Sequence, residues 1–103
     1  MSMRKKYLKN QNECTITFTI PKSIGDKYKK ISVVGEFNDW DQNAHQFKKT
    51  NSKGTYSVSV RVPVGGEYQF RYVADGIHWF NEEKADKQIA VPFGDSENSV
   101  VKI

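Results

Sequence analysis

Apolar and polar residues alternate with a period of two through much of this chain, a pattern that predicts strands with one buried face. Cys14, Ile16, Phe18 and Ile20 fall on one side of a run whose other side carries Thr15, Thr17 and Thr19, and Pro21 stops it. Tyr56, Val58, Val60 and Val62 alternate in the same way with Ser57, Ser59 and Arg61. Pro63-Val64-Gly65-Gly66 then reads as a hairpin turn. Beyond it Tyr68, Phe70 and Tyr72 share one face, and Gln69, Arg71 and Val73 share the other. Residues 31–37 and 99–103 supply two further strands, while 44–48 and 78–80 are short candidates. Helical periodicity is absent apart from one turn's worth at 81–87. Residues 1–12 read as a polar, basic arm with Tyr7 and Leu8 tucked onto the body. Six or seven short strands with turn signals between them predict an all-β fold, an antiparallel β-sandwich of immunoglobulin-like type.

Composition narrows the class. A chain of 103 residues is expected to form one domain, here 13–103, around a single modest core. Apolar residues at 37% and aromatics at 13% exclude disorder, and 27% charged residues give a very polar surface. The single Cys14 has no disulfide partner, and its place in an alternating run predicts a buried thiol. No apolar run approaches the roughly 20 residues of a membrane span, and the N-terminus lacks an apolar signal core, so a cytoplasmic location is expected. The net charge of +4 is uneven, because residues 1–30 carry eight Lys/Arg against Glu13 and Asp26. Such an end could meet nucleic acid, but a solvated arm is the commoner outcome; neither nucleic acid nor membrane is an expected partner.

The same residues bound the chemistry open to the chain. Glu36, Asp39 and Asp41 surround Trp40, and a carboxylate pair can cleave glycosides, yet Asn and Asp in such a loop usually bond neighbouring amides. Glu82 and Glu83 lie in a polar segment and read as solvated, while His45 and His78 have no patterned ligands nearby. No catalytic, metal or cofactor site is expected, and no enzymatic activity. Binding is better supported. Trp40 closes Gly35-Glu36-Phe37-Asn38-Asp39-Trp40, and Trp79 follows Asp75-Gly76-Ile77-His78, each just past a strand-like run. Indoles among Asn, Asp and Gly offer a flat apolar platform ringed by hydrogen-bonding groups, which suits the C–H face and hydroxyl rim of a sugar; a packing role is the plain alternative. Arg71 on the polar side of its strand and Asn98 before the last strand could supply the polar rim. Phe93, in Pro92-Phe93-Gly94, reads equally as an exposed knob or a buried plug.

The order of these motifs resembles a known family. Val34-Gly35-Glu36-Phe37-Asn38-Asp39-Trp40, then Gly66-Glu67-Tyr68-Gln69-Phe70-Arg71-Tyr72-Val73-Ala74-Asp75-Gly76, then Trp79 and Asn98-Ser99-Val100-Val101 is similar to the isoamylase N-terminal, glycogen-binding type of carbohydrate-binding module. That early-set immunoglobulin-like domain occurs in glycogen branching and debranching enzymes and in the β subunit of AMP-activated protein kinase. The resemblance spans roughly residues 13–103 and implies a sandwich of about seven strands. It implies that Trp40 and Trp79 stack on glucose rings, that Arg71 stands where the kinase-type modules have a sugar-contacting Lys, and that Asn98 bonds sugar hydroxyls. It also implies that Phe93 stands where those modules thread a Leu into the glucan. Two departures stand out: one extra residue between Gly76 and Trp79, and one extra in the loop from Phe93 to Asn98. The chain ends where a catalytic barrel would begin in the enzymes, and its Met1 and complete final strand lead to the expectation of a stand-alone, non-catalytic module. It would bind an α-glucan polysaccharide or malto-oligosaccharide, in trans with a glycogen- or starch-metabolising enzyme. The alternative is a protein-interaction or regulatory domain of the same fold that has lost sugar binding.

Overall fold

The computed structural model describes residues 1–9, 12–50, 54–91 and 96–103. In chain order these form β1 (Ser2–Tyr7), β2 (Glu13–Ile20), a short helix α1 (Lys22–Gly25), β3 (Ile31–Gly35), a 3-10 turn at Glu36–Asn38, β4 (Lys48–Lys49), β5 (Tyr56–Pro63), β6 (Glu67–Ala74), β7 (His78–Phe80), β8 (Lys87–Ala90) and β9 (Glu97–Lys102). Sheet one has the order β1-β2-β5-β4, and sheet two the order β3-β6-β9-β8 with β7 on β6 beside β9. All pairings are antiparallel. The result is a β-sandwich, as the alternation predicts.

The core lies where the two inner faces meet. Ile16, Phe18, Ile20, Val60 and Val62 from sheet one pack against Ile31, Val33, Phe70, Tyr72, Ala74 and Val101 from sheet two. Phe18 meets Phe70 at 5.1 Å between ring centres and Tyr72 edge-on at 6.1 Å. Burying one such ring contributes about 1.5–3 kcal/mol. Cys14 is fully buried. On the outer face of sheet one, Thr15, Thr17 and Thr19 stand in register with Lys6, Arg4 and Ser2 on one side and Arg61, Ser59 and Ser57 on the other. Lys48, opposite Ser57, adds a further cation to that face.

Three expectations need correction. The arm read at residues 1–12 instead supplies the edge strand β1. Its alternation is masked because Lys5 takes an inward position opposite Ile16 and lays its stem along the body. The Lys5 ammonium donates to Asp86 Oδ2 at 2.7 Å, and the Lys102 N–H reaches the same oxygen at 2.7 Å, tying sheet one to sheet two. Partial burial pushes the Asp86 carboxyl up, but the Lys102 N–H and the Lys5 ammonium outweigh it and hold the carboxyl below its ordinary range. The strand read to Phe37 ends at Gly35, and the segment read as one helical turn at 81–87 instead makes a turn and a bend at 83–86 and enters β8 at Lys87. β1 and β8 bring the strands to nine among the described residues, against about seven expected. No described helix is long and apolar enough to cross a membrane.

Candidate functional site

Trp40 owes its position to a fold-back at the end of β3. Gly35 runs so close to β6 that a Cβ there would sit 2.4 Å from the Gln69 carbonyl oxygen and 2.8 Å from Phe70 Cβ, so only glycine fits. Asn38 then turns back along the strand. Its Oδ1 accepts the Gly35 N–H at 3.0 Å, while Nδ2 donates to the Val33 carbonyl at 3.0 Å and to His45 Nδ1 at 2.9 Å. The strand cannot continue, and the next two residues enter the left-handed region, Asp39 at φ 54° and Trp40 at φ 59°. A bulky side chain rarely adopts that conformation, at a cost of roughly 1–2 kcal/mol per residue. The Trp40 N–H, donating to the Gly35 carbonyl at 2.9 Å, holds it there. Strain of this kind concentrates at working sites and persists where the surroundings fix it. Glu36 caps the arrangement by accepting the Gln69 N–H at 2.7 Å, and Asp41 accepts the Asn43 N–H at 2.8 Å. Asp41 serves its own turn, as the loop composition predicts, while Glu36 instead ties the turn to a distant strand amide of β6.

Trp79 reaches the same sheet by a different route. β7 is a three-residue strand, and Trp79 stands opposite Val73 on the outer face of sheet two. That face also carries Gln69 and Arg71 from β6, because Phe70 and Tyr72 point into the core. The Arg71 guanidinium lies over the Trp79 ring, 5.5 Å from its centre. Its Nε is buried and meets no acceptor among the described residues, an uncommon state for a guanidinium nitrogen. Asn98 comes one step past the Phe70–Ser99 pair, on the Arg71 side, and donates from Nδ2 to Gln69 Oε1 at 2.9 Å. Trp40 is half-buried and Trp79 is 41% exposed. The register therefore brings Arg71, Trp79 and Asn98 onto one outer face, and the fold-back leaves Trp40 just past the end of β3. Phe93 lies outside the described residues.

Two contributors escape the sequence reading. Gln69 shares the parity of Arg71 and bridges to Asn98, a role that the alternation of β6 could have signalled. Glu82, read as solvated, is fully buried instead. Its Oε1 accepts the Tyr72 hydroxyl at 2.8 Å and its Oε2 the Lys84 N–H at 2.9 Å. Its own N–H donates to Ser99 Oγ at 2.9 Å, and its carbonyl accepts from Gln88 Nε2 at 2.7 Å. Burial, and then the Glu82 carboxylate, push the Tyr72 hydroxyl far above the ordinary tyrosine range. Asn81 donates to the Glu97 carbonyl at 3.0 Å. This network fastens the end of β7 to β9, two residues from Trp79 and one from Asn98. It is the foundation under that half of the face.

Other features lie apart. A hollow of about 520 Å³ between Asn43, His45, Lys48, Ser57 and Ser59 touches none of the five candidates. A second, of about 430 Å³, has Trp79 in its wall. Among the described residues no group of three or more His, Cys, Asp or Glu gathers as a metal site would require.

Comparison with known proteins bears on the same residues. The family described as carbohydrate-binding module 48 (isoamylase N-terminal domain) matches residues 26–90. A 1,4-alpha-glucan-branching enzyme of Debaryomyces hansenii is 36% identical over 39 residues, covering 38% of this chain and 6% of the enzyme. The 1,4-alpha-glucan branching enzyme GlgB of Butyrivibrio fibrisolvens is 38% identical over 45 residues, covering 43% of this chain and 7% of the enzyme. The chain thus spans less than a tenth of the length of these curated relatives. The family match covers more than half of the chain, which belongs to the carbohydrate-binding module 48 family.

Proposed function

We propose that this member of the carbohydrate-binding module 48 family is a non-catalytic α-glucan-binding module that serves a glycogen- or starch-metabolising enzyme in trans. The observation that carries the reading is the shared outer face of sheet two, where Arg71, Trp79, Gln69 and Asn98 stand together beside the strained Trp40 turn. Trp40 and Trp79 supply apolar platforms for the C–H faces of glucose rings. Arg71 and the Gln69–Asn98 pair supply donors and acceptors for the hydroxyls. The two branching-enzyme relatives support an α-1,4-linked glucan as the ligand.

Such a face is shallow and wet. Each polar contact replaces one made to water, with a net gain of only about 0.5–1.5 kcal/mol, so binding to a single oligosaccharide should be weak and to a polymer stronger through many sites. Native electrophoresis through gels containing glycogen tests the reading. The protein should be retarded, and the Trp40→Ala/Trp79→Ala double variant should not. Equal mobility of the two would overturn it. Tryptophan fluorescence titrated with maltoheptaose gives an independent measure, with an unchanged spectrum favouring the regulatory alternative.

A further inference from the structure

The first strand of sheet one is paired on one side only. In the order β1-β2-β5-β4 all of β1 lies against β2, and among the described residues no strand runs along its other edge. The ladder fixes which backbone groups are left over. The Leu8 N–H donates to the Glu13 carbonyl at 3.0 Å, one step beyond the Tyr7–Cys14 pair. Antiparallel ladder bonds alternate along a strand, so Lys6, Arg4 and Ser2 share the direction of Leu8 and bond to β2. Met3, Lys5 and Tyr7 therefore turn their N–H and C=O groups to the open edge. An edge of this kind is a template for one more strand. Donors and acceptors alternating at the strand repeat are complemented by another peptide backbone.

Charge selects which strand. Arg4 and Lys6 are exposed on the outer face of β1, two residues and so about 7 Å apart. Neither makes an ion pair among the described residues, whereas Lys5, Lys22, Lys49, Lys87 and Lys102 each meet a carboxylate. Arg61 stands across Thr15 from Lys6 and continues the positive face inward, with Glu13 beyond it at the end of the sheet. Cations on an edge strand guard against pairing with a second copy, because like charges set opposite one another destabilise a ladder. The same charges attract an acidic strand. A nucleic acid offers phosphates to the cations but no repeating donors for the edge carbonyls.

We propose that the open edge of β1 is a docking site for an extended acidic segment of a protein partner, which joins sheet one as a fifth strand. Its backbone bonds to Met3, Lys5 and Tyr7, and carboxylates at alternate positions pair with Arg4 and Lys6. Main-chain bonds supply affinity in this mode of recognition, and the side chains supply selection. The site lies on the sheet opposite Trp79 and Arg71, so it stands or falls apart from the glucan reading.

The test titrates the full chain, at low salt, with a short blocked peptide of alternating glutamate and threonine. A lysine-for-glutamate peptide and a single-stranded oligothymidylate serve as comparison probes. Wild-type protein should bind the glutamate peptide about tenfold more tightly than the lysine peptide. Arg4→Glu/Lys6→Glu, at two exposed positions, should reverse that preference, which a merely misfolded variant would not do. Tyr7→Pro removes one edge donor while leaving the bonds to β2, and should weaken the glutamate peptide about fivefold relative to Tyr7→Ala. Hydrogen exchange locates the contact: the Lys5 and Tyr7 amides should slow when the peptide is added, and the Arg4 and Lys6 amides should be slow beforehand. If the peptide binds while the Lys5 and Tyr7 amides exchange as before, or if oligothymidylate binds as tightly, strand addition is overturned. Failure of the glutamate peptide to bind overturns it too, as does a dimer of this chain that excludes the peptide.

Discussion

Trp40 and Trp79 stand beside the same sheet, yet the molecule holds them by opposite means. Trp40 is fixed by its backbone: a left-handed turn, a glycine that admits β6 at close range, and an Asn that folds back on the strand. Trp79 is fixed by its surroundings, with a three-residue strand in ordinary β conformation beneath it, a guanidinium on its ring and a buried carboxylate network beyond its strand end. A platform held by local dihedrals keeps its position when neighbours change. One held by neighbours shifts with them. Trp40 is therefore expected to be the rigid reference of the face, and Trp79 the adjustable partner.

The largest way to break this contrast is at Asn38. Asn38→Ala leaves the buried Gly35 N–H and Val33 carbonyl without their partner and should destabilise by about 3 kcal/mol, read from urea denaturation. A loss in the range of a surface substitution, below roughly 0.5 kcal/mol, would show that the turn stands without it. Tyr72→Phe attacks the other half. Glu82 keeps its Lys84 N–H but loses the hydroxyl donor, so a cost of about 2 kcal/mol is expected. In variants carrying one tryptophan each, Tyr72→Phe should alter Trp79 emission and leave Trp40 emission unchanged; the reverse would invert the comparison.

A control that touches neither indole comes from Asp86. Its carboxyl is held below its ordinary range when folded, so its contribution is present above the unfolded carboxylate value of about 3.9 and fades as pH falls through the folded value. Asp86→Asn should cost at most ~1 kcal/mol at neutral pH, given the partial exposure of the pair, and nothing in strong acid. Denaturation series at several pH values read this directly. The smallest effect is expected at Asp39. Asp39→Gly removes left-handed strain but loosens the unfolded chain, for a net gain under about 1 kcal/mol. Glycogen retardation should be unchanged, because the Trp40 backbone keeps its bond to Gly35.

Much of this was legible in the alternation. Phe18, Phe70 and Tyr72 fell on inner faces because a period of two leaves no choice, and the same parity set Arg71 outside. The illegible parts share a cause: a polar residue doing what apolar residues usually do. Lys5 occupies an inward strand position with its charge carried out to Asp86, which hid β1. Glu82 is buried because Tyr72 and Ser99, 10 and 17 positions away in the chain, offer it partners, and no local pattern reports such distant partners. The hollow beside Trp79 escaped for a related reason, since Tyr28 and His78 meet only when two loops separated by strands β3 and β6 are clamped at Asp75.

The threonine face of sheet one has a consequence for any assembly on a polymer. Its strand positions carry Arg4, Lys6, Lys48 and Arg61, with Glu13 at one end. A module seated through sheet two turns this back surface to the solvent, so a neutral polysaccharide decorated with copies acquires a positively charged coat. Neighbouring copies would then repel at distances up to a Debye length, about 8 Å at physiological ionic strength. The spacing of bound modules along a chain, and hence the density of the coat, would then be set by salt acting on the side of the domain opposite the proposed face.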